Sequence, residues 1–101
     1  MALVMVIEDE EALALLLKYN LEKEGYEVVW EPRGNKALAE IEKHCPSVIL
    51  LDWMLPEMSG VEICKLIRSK PDIKNIPVIM LTAKARKKTK SGGFPPVRTI
   101  T

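Results

Sequence analysis

Glu8 and Asp9 follow the apolar run Leu3 to Ile7, Asp52 follows Val48 to Leu51, and Thr82 follows Pro77 to Leu81. Each short run thus closes on a carboxylate or a hydroxyl. If the runs are parallel strands of one sheet, their carboxyl ends align, and these side chains meet in the crevice where open α/β sheets bind ligands. An aspartate in such a place can attack a phosphoryl group and form an acyl phosphate, provided that the charge on the transferring group is neutralised and the donor is held in line. Mg2+ is the natural neutraliser. It takes oxygen ligands in near-octahedral geometry, one or two of them carboxylates, so Glu8 and Asp9 beside Asp52 form a suitable cradle. Three clustered carboxylates also repel one another and raise at least one pKa, a strain that a cation relieves. The Thr82 hydroxyl can donate a hydrogen bond to a phosphoryl oxygen.

The elements that must position these residues are legible as alternating strands and helices. Leu3 to Ile7 is too short for a helix and apolar throughout, as a buried parallel strand should be. Glu10 to Glu24 follows, with Leu13, Leu16, Leu17 and Leu21 on one stripe, acids at its start and Gly25 as its stop. Tyr26 to Trp30 reads as the second strand, and Asn35 to His44 as a short helix with Ala37, Leu38 and Ile41 inward. Val48 to Leu51 is the most apolar strand and is expected at the centre. Ser59 looks like the N-cap of a helix to Arg68 with Val61, Cys64 and Ile67 on one face, and Pro77 to Leu81 is strand four. Repeated βα units imply a doubly wound parallel sheet with right-handed crossovers. For strands one, three and four to bring their ends together they must be neighbours, which gives the flavodoxin-like order 2-1-3-4.

At 101 residues the chain has room for one core, and not for a catalytic and an effector domain together. Its 48% hydrophobic and 29% charged residues suit a soluble globular protein, without an apolar run near the ~20 residues of a membrane span. The first apolar stretch lacks a basic flank and enters an acidic run, so it reads as a strand and not as a signal peptide. A cytoplasmic location is expected. Cys45 and Cys64 stand outside any metal-ligand spacing and are given structural roles. No Gly-x-Gly-x-x-Gly follows the first strand, which sets dinucleotide binding aside.

The spacing of the three strand-end motifs carries a resemblance. Glu8-Asp9, Asp52-Trp53-Met54-Leu55-Pro56 with Ser59-Gly60 beyond, and Pro77 to Ala83 resemble the receiver domain of two-component response regulators, most of all the phosphate-regulon type with winged-helix effectors. The resemblance implies that Asp52 is the phosphoacceptor, that Asp9 and Asp52 bind Mg2+ through carboxylates, Met54 through its carbonyl and Glu8 through water, and that Thr82 is the switch hydroxyl. It also implies a sensor histidine kinase as phosphoryl donor, and self-catalysed phosphorylation rather than enzymatic turnover on a substrate. A phosphohydrolase with an aspartyl nucleophile commonly places a second Asp two residues after the first, where this chain has Met54. That alternative is disfavoured.

The resemblance stops near residue 84. Residues 1–83 carry nine basic and 14 acidic side chains, a net −5, whereas the remaining 18 carry six basic residues and no acid. This segment shows no helical stripe and no Lys followed by Pro, so the reading is a partial receiver over residues 1–84, without the fifth strand and last two helices, and a disordered basic tail over 85–101. Three expectations follow: weakened phosphorylation or an interaction-only remnant, an exposed edge on strand four, and self-association into a homodimer through that edge. Lys84, Arg86, Lys87, Lys88 and Lys90 lack interleaved aromatics, so we do not read them as a nucleic-acid site. His44, in the last turn of its helix, is read as a partner of the helix dipole and not as a phosphoryl relay.

Overall fold

The computed structural model describes residues 2–81, together with the strand backbone of Val97–Ile100. Strand β1 is Leu3–Ile7, helix α1 Glu11–Lys23, strand β2 Glu27–Glu31, helix α2 Gly34–His44, strand β3 Val48–Asp52, helix α3 Gly60–Arg68, strand β4 Val78–Leu81 and strand β5 Val97–Ile100. The first four strands are parallel and lie in the order 2-1-3-4, as the convergence of the acidic residues required. The chain therefore has the doubly wound α/β architecture, with β1 and β3 side by side at its centre.

Two unequal apolar layers hold the sheet. Met5, Ile7, Ile49, Leu51, Val78 and Met80 point to one face, where Ala37 and Ile41 of α2 and Ile63, Cys64 and Ile67 of α3 bury them completely or nearly so. On the other face, α1 lays Ala14 against Val4 and Val6, while Val28, Trp30, Val48 and Leu50 remain half-buried. Burial at about 25 cal/mol per Å² makes the first layer the main source of stability. Leu16, expected inside, is exposed, and Ala14 is buried in its stead because a methyl side chain lets the helix approach the strands. Val61 likewise faces out and Ile63 in, since the inner stripe of α3 runs through positions 60, 63, 64 and 67.

Local signals explain the ends of the helices. Gly25, at φ +96, supplies the left-handed residue that stops α1. Ser59 and Glu62 form a reciprocal capping box at the start of α3, with the Glu62 amide donating to Ser59 Oγ at 3.2 Å. Ser59→Ala is expected to remove about 1 kcal/mol of stability, read as a shift of the urea midpoint without a change of slope. His44 ends α2 and meets Glu40 one turn earlier, at 3.2 Å.

The sequence reading is corrected at the last strand. Val97–Ile100, assigned to a disordered tail, pair antiparallel with β4, Val78 opposite Ile100 and Leu81 opposite Val97. An edge strand offers a row of unsatisfied N–H and C=O groups, and a stretch of Val, Thr and Ile has the side chains that favour pairing there. The four parallel strands stand in the order read from the sequence, and this antiparallel strand lies along their β4 edge, the edge on which a homodimer was expected. The other expectations for Thr82 and for the basic run fall on residues 82–96, outside the described residues.

Candidate phosphoryl-acceptor site

β1 and β3 run in register, Ile7 beside Leu51, so the next residues along, Glu8 and Asp52, emerge level with each other. Glu8 is wholly buried and Asp52 is 1% exposed, whereas Asp9 is open to solvent. One carboxylate oxygen from each of Glu8, Asp9 and Asp52 lies within 4.8 Å of the others. Three hard oxygen donors at this separation, two of them withdrawn from water, fit a hard divalent cation and offer nothing to a soft one. The three residues singled out from spacing are thereby brought together.

Burial is the main force on Asp52, and it pushes the carboxyl up from 3.8 to about 6. The Met54 amide donates to Asp52 Oδ1 at 3.2 Å and pulls it down, Asp9 raises it by hydrogen bonding and by charge, and a hydrogen bond with Glu8 lowers it. Withdrawal from water thus accounts for more of the raised value than repulsion among the carboxylates, the charge of Asp9 being the smallest contribution. Met54 reaches Asp52 through its backbone, while its side chain is exposed. Asp52 pairs with Leu81, and the Trp53 amide donates to the Leu81 carbonyl at 3.0 Å, so the end of β4 is tied to Asp52. Thr82 itself lies outside the described residues.

Several supports surround the site; Leu55 and Gly60 belong to the motif read from sequence, whereas the contacts of Glu57, Glu10 and Trp30 had no signal there. The loop after Asp52 is held on the first layer by Leu55, which is buried, and on α2 by Glu57, whose Oε1 accepts from the Gly34 amide at 3.3 Å. Gly60 starts α3 so close to β3 that its amide donates to the Trp53 carbonyl at 2.9 Å. Glu8 Oε2 accepts from the Glu10 amide at 3.0 Å, which turns the chain from β1 into α1. Trp30 donates through its indole nitrogen to the Glu8 carbonyl at 2.7 Å. Of these contacts the Trp30 bond crosses from β2 to the end of β1, and only the tertiary register shows it.

The sequence profile of the response regulator receiver domain matches residues 4–94. The chain belongs to this family. The match to the receiver profile continues beyond residue 84, where the motif resemblance ended. Among curated proteins, this receiver is 44% identical over 91 residues to the phosphate regulon transcriptional regulatory protein PhoB of Rhizobium meliloti (strain 1021), covering 90% of this chain and 40% of that protein. It is 43% identical over 81 residues to the alkaline phosphatase synthesis transcriptional regulatory protein PhoP of Bacillus subtilis (strain 168), covering 80% of this chain and 33% of that one. It thus spans well under half the length of these relatives. The N-terminal domain of a response regulator receiver protein from Methanoculleus marisnigri JR1 superposes with a TM-score of 0.79 at 29% identity, over 91% of this chain and 73% of that one. The Mn2+-bound form of response regulator Rcp1 gives 0.73 at 30% identity, over 81% and 66% of the two chains. Receiver domains are signalling modules and not conventional enzymes. Among the described residues, no helix is long and apolar enough to cross a membrane.

Proposed function

We propose that this chain is the phosphoacceptor module of a cytoplasmic two-component phosphorelay, in which Asp52 takes a phosphoryl group from a sensor histidine kinase. The observation that carries the reading is the buried Asp52 carboxylate at the end of the central strand, within 4.8 Å of Glu8 and Asp9 oxygens. The cation would be Mg2+, held by the Asp9 and Asp52 carboxylates and the Met54 carbonyl, with Glu8 acting at one remove or directly. When bound, it supplies charge neutralisation to the carboxylates and to the incoming phosphoryl oxygens. Similarity to a receiver whose structure holds Mn2+ supports a divalent ion of this class.

Asp52 attacks through a carboxylate oxygen. The bond formed is Asp52 Oδ to phosphorus. The bond broken joins phosphorus to the donor, either a histidine ring nitrogen or the acetyl oxygen of acetyl phosphate, and its electron pair leaves with the donor. The chain at most accelerates this transfer and its hydrolytic reversal on itself. Asp9 and Glu8 hold charge opposite the incoming group, the Met54 amide fixes the Asp52 rotamer, and Thr82 would donate its hydroxyl to a phosphoryl oxygen as the switch residue.

Incubation with acetyl phosphate and Mg2+ should add one phosphoryl group to the intact mass, and EDTA should prevent it. An unchanged mass in a protein whose circular dichroism shows the native fold would select the second reading, a receiver that binds its partners without accepting phosphate.

A further inference from the structure

Trp30 sits near the end of β2, beside Val6 of β1, and Glu31 sits beside Ile7. β2 therefore keeps pace with β1 up to the point where the chain turns through Glu8 and Asp9. Two hydrogen bonds from β2 clasp Glu8 there. The Glu8 amide donates to the Glu31 carbonyl at 3.2 Å, and the indole N–H of Trp30 donates to the Glu8 carbonyl at 2.7 Å. The Glu8 carbonyl belongs to the peptide plane that carries the Asp9 nitrogen, so the second bond sets the rotation of that plane and with it the direction of the Asp9 side chain. The donor is itself anchored, because the ring packs against the Val4, Val6 and Ala14 cluster. An indole has one N–H and no acceptor, so the bond has a single polarity and a rigid base.

We infer that Trp30 is a positioning residue for the acidic pocket, its indole N–H holding the Glu8–Asp9 peptide in the orientation that presents both carboxylates, with Asp52, to a divalent cation. The inference rests on the proposed phosphoacceptor function. Partners that orient ligands from outside the coordination sphere commonly contribute ten- to a hundredfold in metal affinity, and a bond to a backbone carbonyl belongs at the lower end, about tenfold.

The test compares Trp30→Phe, which keeps a ring and deletes the donor, with Val28→Ala, which removes apolar packing from the same cluster and leaves the donor in place. Mg2+ binding by calorimetry and amide hydrogen exchange at Asp9 and Glu10 are measured beside the urea midpoint. Trp30→Phe should weaken Mg2+ binding about tenfold and speed exchange in the turn more than in β1, whereas Val28→Ala should lose stability and keep its Mg2+ affinity within about twofold. Equal Mg2+ affinity in Trp30→Phe and the parent chain would overturn the inference, as would losses of affinity that merely follow stability in both variants. A parent chain that binds no Mg2+ would instead sink the proposed function, and the inference with it.

Discussion

Asp52→Asn should abolish phosphoryl labelling and at the same time make the metal-free protein more stable at neutral pH. The first half follows from chemistry, since a carboxamide is no nucleophile toward phosphorus. The second follows from linkage. Asp52 is buried and its carboxyl is pushed up from 3.8 to about 6, chiefly by burial. Between those pH values the native state holds the proton more tightly than the unfolded chain. Stability contributed by this group therefore falls as pH rises through that window, and above about pH 6 the full penalty of about 3 kcal/mol is present. Asn keeps the shape and can still accept from the Met54 amide, but it does not ionise. In EDTA, the variant should gain stability over the parent at pH 7.5 and show little difference below about pH 4. Mg2+ should recover stability for the parent far more than for the variant, by mass action on the folded state. Urea denaturation at the two pH values decides the matter: a variant no more stable than its parent at pH 7.5 contradicts the buried-charge account. A phosphoryl label on the variant would move the acceptor elsewhere.

Gly60→Ala is expected to damage both fold and chemistry through one methyl group. A Cβ at this position would lie 2.5 Å from the Asp52 carbonyl oxygen, 3.0 Å from Met80 Cε and 3.1 Å from Trp53 Cα. The methionine end can swing aside. The two backbone atoms cannot move without carrying Asp52 with them. Overpacking of this kind costs about 1 to 3 kcal/mol, equivalent to a fall of about 5 to 15 °C in Tm for a domain of this size. Displacement of the Asp52 backbone by even 1 Å can slow an aligned transfer on the order of a hundredfold. The sign is diagnostic, because Gly to Ala in an open helical position stabilises. An unchanged or raised Tm with a parental labelling rate would show that α3 has room to retreat.

The acidic pocket was legible because each of its residues ends a run of apolar residues, and a strand's end is where its next side chain is delivered to the edge of the sheet. The order of the parallel strands was legible in part from the same residues, since strands one, three and four must be neighbours for their ends to meet at one crevice. Helix faces were legible only in part. Leucine at 13, 16, 17 and 21 defines a stripe broader than the contact, and whether Leu16 or Ala14 turns inward depends on how near the helix lies to the strands. Val61 and Ile63 exchange roles for a similar reason. β5 was not legible, because its four residues follow a basic segment without turn-bounded alternation and its pairing with β4 is chosen by the edge it meets. Trp30 gave no sign of its tie to the Glu8 carbonyl, since two strands remote in sequence must be adjacent before that bond exists.

The thinner of the two apolar layers has an experimental corollary. Leu15, Leu16 and Tyr19 are 48%, 42% and 63% exposed on α1, and Val48 and Leu50 beneath the same side of the sheet are only partly shielded. Fluorescent probes such as ANS, which brighten on greasy surface and are used to diagnose molten species, are expected to brighten on the intact native molecule. Emission from the folded chain at native pH without denaturant would check this, and the burial of the opposite layer, followed through amide protection of β3, is then the sounder gauge of an intact fold.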